Sequence, residues 1–193
     1  MEFFKEKNLW QIFKSSQVIP ISKSNKWISI IVASITFING CFLTSQNLYE
    51  VVTVTSGTLF GVLITTLGFL VAGYTIFCTV IPLDLQKNMS SVIDEEVGLS
   101  YFNSFHFLFL RVFFYFVIFS GFLFLINFFH GSTGLIFFFI ENKCFYFVIN
   151  LTGYTLISGI TIFILMELMS FIFNIFQSVR TTLYWEKSKD ENE

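Results

Sequence analysis

Between Lys26 and Glu50, between Glu50 and Asp84, from 112 to 140 and from 144 to 166, the chain carries no acidic or basic residue. The hydrocarbon core of a bilayer is about 30 Å thick and takes about 20 apolar residues as a helix. Each run is long enough, and spans are expected over 27–44, 57–81, 107–129 and 145–166. Pro82 closes the second, and the turn-rich "HGSTG" closes the third. Composition agrees: 12% of residues are charged, where soluble domains carry about 25%. The fold class implied is an all-α polytopic membrane protein. It has an amino-terminal segment (1–26), a four-helix membrane domain (27–176) and a carboxy-terminal segment (177–193).

The basic residues set the expected orientation, because positive charge is retained on the cytoplasmic side. Lys5, Lys7, Lys14, Lys23 and Lys26 precede the first span. Lys87 and Arg111 lie in or beside the connection between the second and third, and Arg180, Lys187 and Lys189 follow the fourth. Only Lys143 falls in the other connections. Both termini are therefore expected in the cytoplasm. The early lysines leave no room for the apolar part of a signal peptide, and no lipidation signal is visible. With no basic domain, direct nucleic-acid binding has no electrostatic footprint. Cys41, Cys78 and Cys144 make neither a CxxC nor a zinc pattern. Their apolar neighbours make each read as a small buried hydrophobe.

Arg111 interrupts the aromatic stretch "HFLFLRVFFYF". At the cytoplasmic mouth of the third span its long side chain could snorkel to lipid phosphates. Alternatively it partners Glu167, the acid that ends the fourth uncharged run. Unpaired at mid-membrane, each would cost about 2.5–3.5 kcal/mol, so both are expected near the membrane boundary.

In the second span Gly57, Gly61, Thr65, Gly68 and Ala72 recur at spacings of three and four. At 100° per residue they fall within about 80° of arc. Small residues on one face let helix backbones approach closely in lipid. The contact is either with another helix of the same subunit or with a second copy in a homo-oligomer.

Outside the spans, Phe3, Leu9, Trp10 and Phe13 gather on one side of an amino-terminal helix ending before Pro20. It lies either in the membrane interface or packed on its neighbours. The connection 83–110 is the longest internal polar stretch and holds an acidic cluster, Asp94, Glu95 and Glu96. The fourth helix is expected to run on through "ELMSFIFNIFQSVRTTLYWEK", with Arg180, Tyr184, Trp185 and Lys187 beyond the lipid. Aromatic and arginine residues commonly anchor interfaces, so these four and the acidic cluster are candidates for docking a partner. The tail "KSKDENE" reads as disordered, and "LIFFFI" (135–140) as lying in the outer interface.

Catalysis has little to work with. His106 and His130 fall on opposite sides of the expected membrane, and no zinc-protease, nucleophile-elbow or phosphate-loop motif is present. No cofactor or metal is expected, and the chain reads as a non-enzyme. Three functions compete: a membrane scaffold or sensor, a pore-forming effector, and a small accessory subunit of a transporter. A pore needs a continuous hydrophilic lining, and Thr58, Thr65, Thr66, Thr75 and Thr79 do not form one stripe. Secondary transport uses intramembrane carboxylates and broken helices, and the spans have neither.

The layout resembles that of small four-span bacterial proteins encoded beside cytoplasmic effectors, and specifically the KwaA-like membrane subunits of Kiwa anti-phage defence systems. The likeness is architectural. It covers the size, the cytoplasmic termini, the short basic amino-terminal segment, an outer surface almost without domains, and the emerging helix "MELMSFIFNIFQSVRTTLYWEK". The resemblance implies homo-oligomerisation in the bacterial inner membrane, sensing of phage attack at the envelope, and recruitment of a cytoplasmic partner encoded nearby.

Overall fold

The computed structural model describes residues 7–95, 97–130 and 143–190, with the backbone alone for 185, 186 and 188–190. It is built of helices: α1 (Leu9–Ser16), α2 (Lys23–Cys41), α3 (Ser45–Val80), α4 (Leu83–Ser91), α5 (Tyr101–Phe129) and α6 (Lys143–Asp190). Two short strands, β1 (Ile93–Asp94) and β2 (Leu99–Ser100), form an antiparallel pair between α4 and α5. Glu96 and "LIFFFI" lie outside the described residues.

α3, α5 and α6 are each long and apolar enough to cross a membrane. α3 starts at Ser45 and α5 at Tyr101, both earlier than the expected 57 and 107. The early turns of each are polar, with Glu50 among those of α3, but they hold no proline or glycine, so the helices propagate through them. α2 does not reach the same apolarity, because Lys23, Asn25 and Lys26 fall inside its first turns. α6 is one helix of 48 residues. The tail read as disordered is therefore helical as far as Asp190, since the chain has no proline or glycine after Gly159 to stop it.

The chain forms two compact units that alternate along the sequence. The first comprises Met1–Pro20, Phe69–Phe114 and Glu167–Glu193. In it, aromatic rings stack: Tyr74 on Phe109 at 4.0 Å between centroids, and Phe77 on Phe105 at 4.4 Å. Phe13 of α1 meets Phe114 at 5.0 Å, while Leu9 and Trp10 stay exposed. Asn8 caps α1 by accepting from the Gln11 N–H at 2.9 Å. Gln86 of α4 donates to the Ile81 carbonyl at 3.0 Å, satisfying a group orphaned where α3 ends. The 83–110 connection is thus a helix and a hairpin. Gly98 turns the hairpin at φ +71°, a conformation other residues rarely adopt.

The second unit comprises Ile21–Gly68 and Tyr115–Met166. Its closest backbone approach is between α2 and α6. A methyl group at Gly159 would sit 3.0 Å from Ala33 Cβ, and one at Gly40 only 2.5 Å from Leu151 Cδ1. Thr36 and Ser158 share a 2.7 Å hydroxyl hydrogen bond across the same contact. Cys41 and Cys144 are exposed and Cys78 is half-buried, all three as free thiols. The buried positions expected for them are not found, because their apolar neighbours face outward rather than into a core.

Candidate functional site

Arg111 lies in the first unit, on α5, with its side chain only 4% exposed. Nη2 stands 3.6 Å from Glu167 Oε2 on α6, whose side chain is 3% exposed. That separation makes an ion pair without hydrogen-bond distance. Nη1 donates to the carbonyls of Ile19 at 2.6 Å and Ser16 at 3.3 Å, where α1 ends. The carbonyl end of a helix carries partial negative charge, so the guanidinium meets a fixed anion on one side and oriented dipoles on the other. Nε has no hydrogen-bond partner among the described residues. Arg111 therefore does not snorkel to lipid. Eighteen residues of α5, about 27 Å of rise, separate it from Phe129. The partners of Arg111 are protein groups.

This cluster ties α1, α5 and α6 together within the first unit. Ser16 is fully buried beneath it, its hydroxyl donating to the Phe13 carbonyl at 2.6 Å. Sequence reasoning found Arg111 and Glu167 but missed Ser16 and Ile19, because a backbone acceptor leaves no trace in residue type. The one available signal was Pro20, which has no N–H to continue α1 by donating back to the Ser16 carbonyl.

A second polar cluster lies in the second unit. His130 Nε2 is 3.2 Å from Asn150 Oδ1, and Nδ1 is 3.1 Å from the Ile126 carbonyl. The Tyr49 hydroxyl donates to the His130 carbonyl. Asn150 is fully buried and donates to the Tyr146 carbonyl at 2.8 Å. Burial holds the His130 imidazole below its ordinary value, against the opposing pull of its contacts with Asn150 and Ile126. Each ring nitrogen faces a protein oxygen, and the neutral ring donates to one of the two. Among the described residues no group of three or more His, Cys, Asp or Glu could hold a metal ion.

The small-residue face of α3 is not where this subunit packs. Gly57, Gly61, Thr65, Gly68 and Ala72 are all exposed, and a methyl group at Gly61 or Gly68 would meet no atom within 4 Å. The close helix contact uses Gly40, Ala33 and Gly159 instead. α2 carries the same spacing in Ser29, Ala33, Thr36 and Gly40, but with one glycine among them it is less conspicuous than that of α3, and the contact was not read from the sequence.

The candidate docking residues lie in the first unit. Asp94 is half-buried in β1, and Glu95 is exposed in the turn. On α6 Arg180 is exposed and stands 5.8 Å over the Phe176 ring. Tyr184 is 77% exposed, and Lys187 is exposed. The side chains of Glu96 and Trp185 are outside the described residues. No family model matches the sequence, and no curated protein and no solved structure matches it.

Proposed function

We propose that the chain is a non-enzymatic scaffold or sensor subunit of the bacterial inner membrane. It crosses four times, with α2 as the first span and both termini in the cytoplasm. It assembles as a homo-oligomer and recruits the cytoplasmic effector of an anti-phage defence system of the Kiwa type. The observation carrying this reading is the continuous α6. Its last turns hold Leu183 at 61% and Tyr184 at 77% exposure beside the exposed Arg180 and Lys187. Large apolar and arginine side chains left open on a helix suit a protein interface.

Three further features support the same reading. α2 has 19 residues, about 28 Å of rise, and exposes Trp27, Ile31, Ile35 and Ile38, as a lipid-facing span would. The open small-residue face of α3 suits a second copy, with the ten-to-one basic asymmetry fixing a common orientation. The α3 hydroxyls speak against a pore: Thr65, Thr66 and Thr75 each donate to the carbonyl four residues back, at 2.9–3.0 Å.

Truncation after Gln177 tests the recruitment. The shortened chain should still insert and no longer capture its neighbouring gene product from membranes. Recruitment by the truncated chain would sink the reading. Reporter fusions at Asn47 and after Glu193 test the topology, with periplasmic and cytoplasmic behaviour expected respectively.

A further inference from the structure

The first unit contains a groove of about 580 Å³ that none of the preceding argument uses. Ligand pockets commonly measure about 300–1,000 Å³. One wall is mostly apolar, from Leu85 and Met89 of α4 and Leu108 of α5, with Asn88 and Ser104 among them. The other is a single face of α6, where Asn174, Gln177 and Thr181 recur at helical spacing. No charged side chain lines it. Arg180 and Lys187, about 60° and 80° round the helix from Gln177 and about 120° and 140° from Asn174, do not line it. The groove also reaches Ile81, the residue after α3 ends. Its mouth is therefore level with the end of a helix long and apolar enough to cross a membrane.

The polar wall is specific in what it offers. The Thr181 hydroxyl is already donated to the Gln177 carbonyl at 3.0 Å. Asn174 and Gln177 keep side-chain amides with both donors and acceptors, set opposite hydrocarbon. Such a groove suits a molecule with one apolar edge and one hydrogen-bonding edge. A charged head would lie there without a counter-ion, at a high desolvation cost, whereas ester and hydroxyl groups match primary amides.

We propose that this groove binds a single-chain neutral amphiphile drawn from the bilayer, of the monoacylglycerol class. The chain lies along α4 and α5, and the glycerol ester is held by Asn174 and Gln177. The groove shares no lining residue with the docking candidates Arg180, Tyr184 and Lys187, so it stands whether or not they recruit a partner.

The test uses the full chain in nanodiscs of zwitterionic lipid containing a trace of a diazirine-bearing monoacylglycerol, with labelled peptides mapped by mass spectrometry. Label should concentrate in α4, the first turns of α5 and residues 174–182. Gln177→Leu, at an exposed position that leaves the fold intact, should lower it at least fivefold, and Thr181→Trp should abolish it by filling the groove. Arg180→Ala, on the docking face, should leave labelling unchanged while weakening partner capture. A diazirine-bearing fatty acid, ionised at neutral pH, should label the groove at least fivefold less. The proposal is overturned if label spreads over the exposed face of α3, if the fatty acid labels the groove equally, or if both groove variants label like the parent.

Discussion

α3 and α5 are nearly equal in mean hydropathy, 2.0 and 2.3 over their most apolar stretches, but 6% of the first is buried against 44% of the second. Hydropathy measures the transfer out of water. Lipid and protein interior accept that transfer equally well, because lipid tails are as apolar as leucine. What separates the two helices is the set of groups that need a partner. α5 carries Arg111, Asn127 and a run of phenylalanines that close against other elements: Phe105, Phe109, Phe116 and Phe119 are all buried. α3 carries glycines and threonines whose hydroxyls are satisfied within their own helix. In lipid, an interior helix is recognised by its unmet polar and packing demands rather than by its apolarity.

The largest expected effect breaks this contrast at the charge. Arg111→Leu leaves Glu167 buried without its cation, and loss of one partner of a buried pair costs about 3–5 kcal/mol. Glu167→Leu should cost a similar amount, and the double variant should regain much of the loss. Unfolding of the purified protein in detergent measures all three. Single variants as stable as the parent would mean that the pair is solvated and α5 is no more interior than α3.

Next come the glycines. Gly159→Leu drives a side chain into Ala33 and should destabilise by about 1–3 kcal/mol. Gly68→Leu, with open space around it, should stay within about 0.5 kcal/mol. Its effect should appear instead in oligomer cross-linking, through the second-copy contact proposed for that face. Equal stability losses at the two glycines would show that α3 is packed within the subunit after all.

The smallest effect sharpens the comparison at single hydrogen bonds. The Ser56 hydroxyl, fully buried, donates across to Asn127 Oδ1 at 3.1 Å. Ser56→Ala should cost about 0.6 kcal/mol, the average for interhelical hydrogen bonds in membranes. Thr75→Val, at a hydroxyl that serves only its own helix, should cost less. The same denaturation series resolves the order.

Much of the architecture was legible in the sequence. Uncharged runs located three of the long helices, and the unbroken pattern after Met166 anticipated the length of α6. Boundaries were misjudged where polar residues extend a helix beyond its apolar stretch, as at Ser45, through Glu50, and at Tyr101. The charged pair was legible as residues but not as a site, because half of what holds Arg111 is backbone. The small-residue face shows the opposite failure. Its glycines are conspicuous in the sequence, whereas the working face of α2 keeps the same spacing in Ser29, Ala33, Thr36 and Gly40 with a single glycine to mark it.

The position of Arg111 along the chain also orders its assembly. Its carbonyl acceptors, Ser16 and Ile19, lie 95 and 92 residues earlier, whereas Glu167 follows 56 residues later. At about 5–20 residues per second, the acid leaves the ribosome roughly 3–11 s after the arginine. During that interval the end of α1 is the ready-made partner for the guanidinium. The apolar neighbours in α5, at about 0.3–0.6 kcal/mol each on insertion scales, offset the charge well enough for the helix to enter lipid. The short amino-terminal helix thus offers the nascent chain the first partner for the arginine, keeps it in the finished fold, and is joined there by the carboxylate of α6.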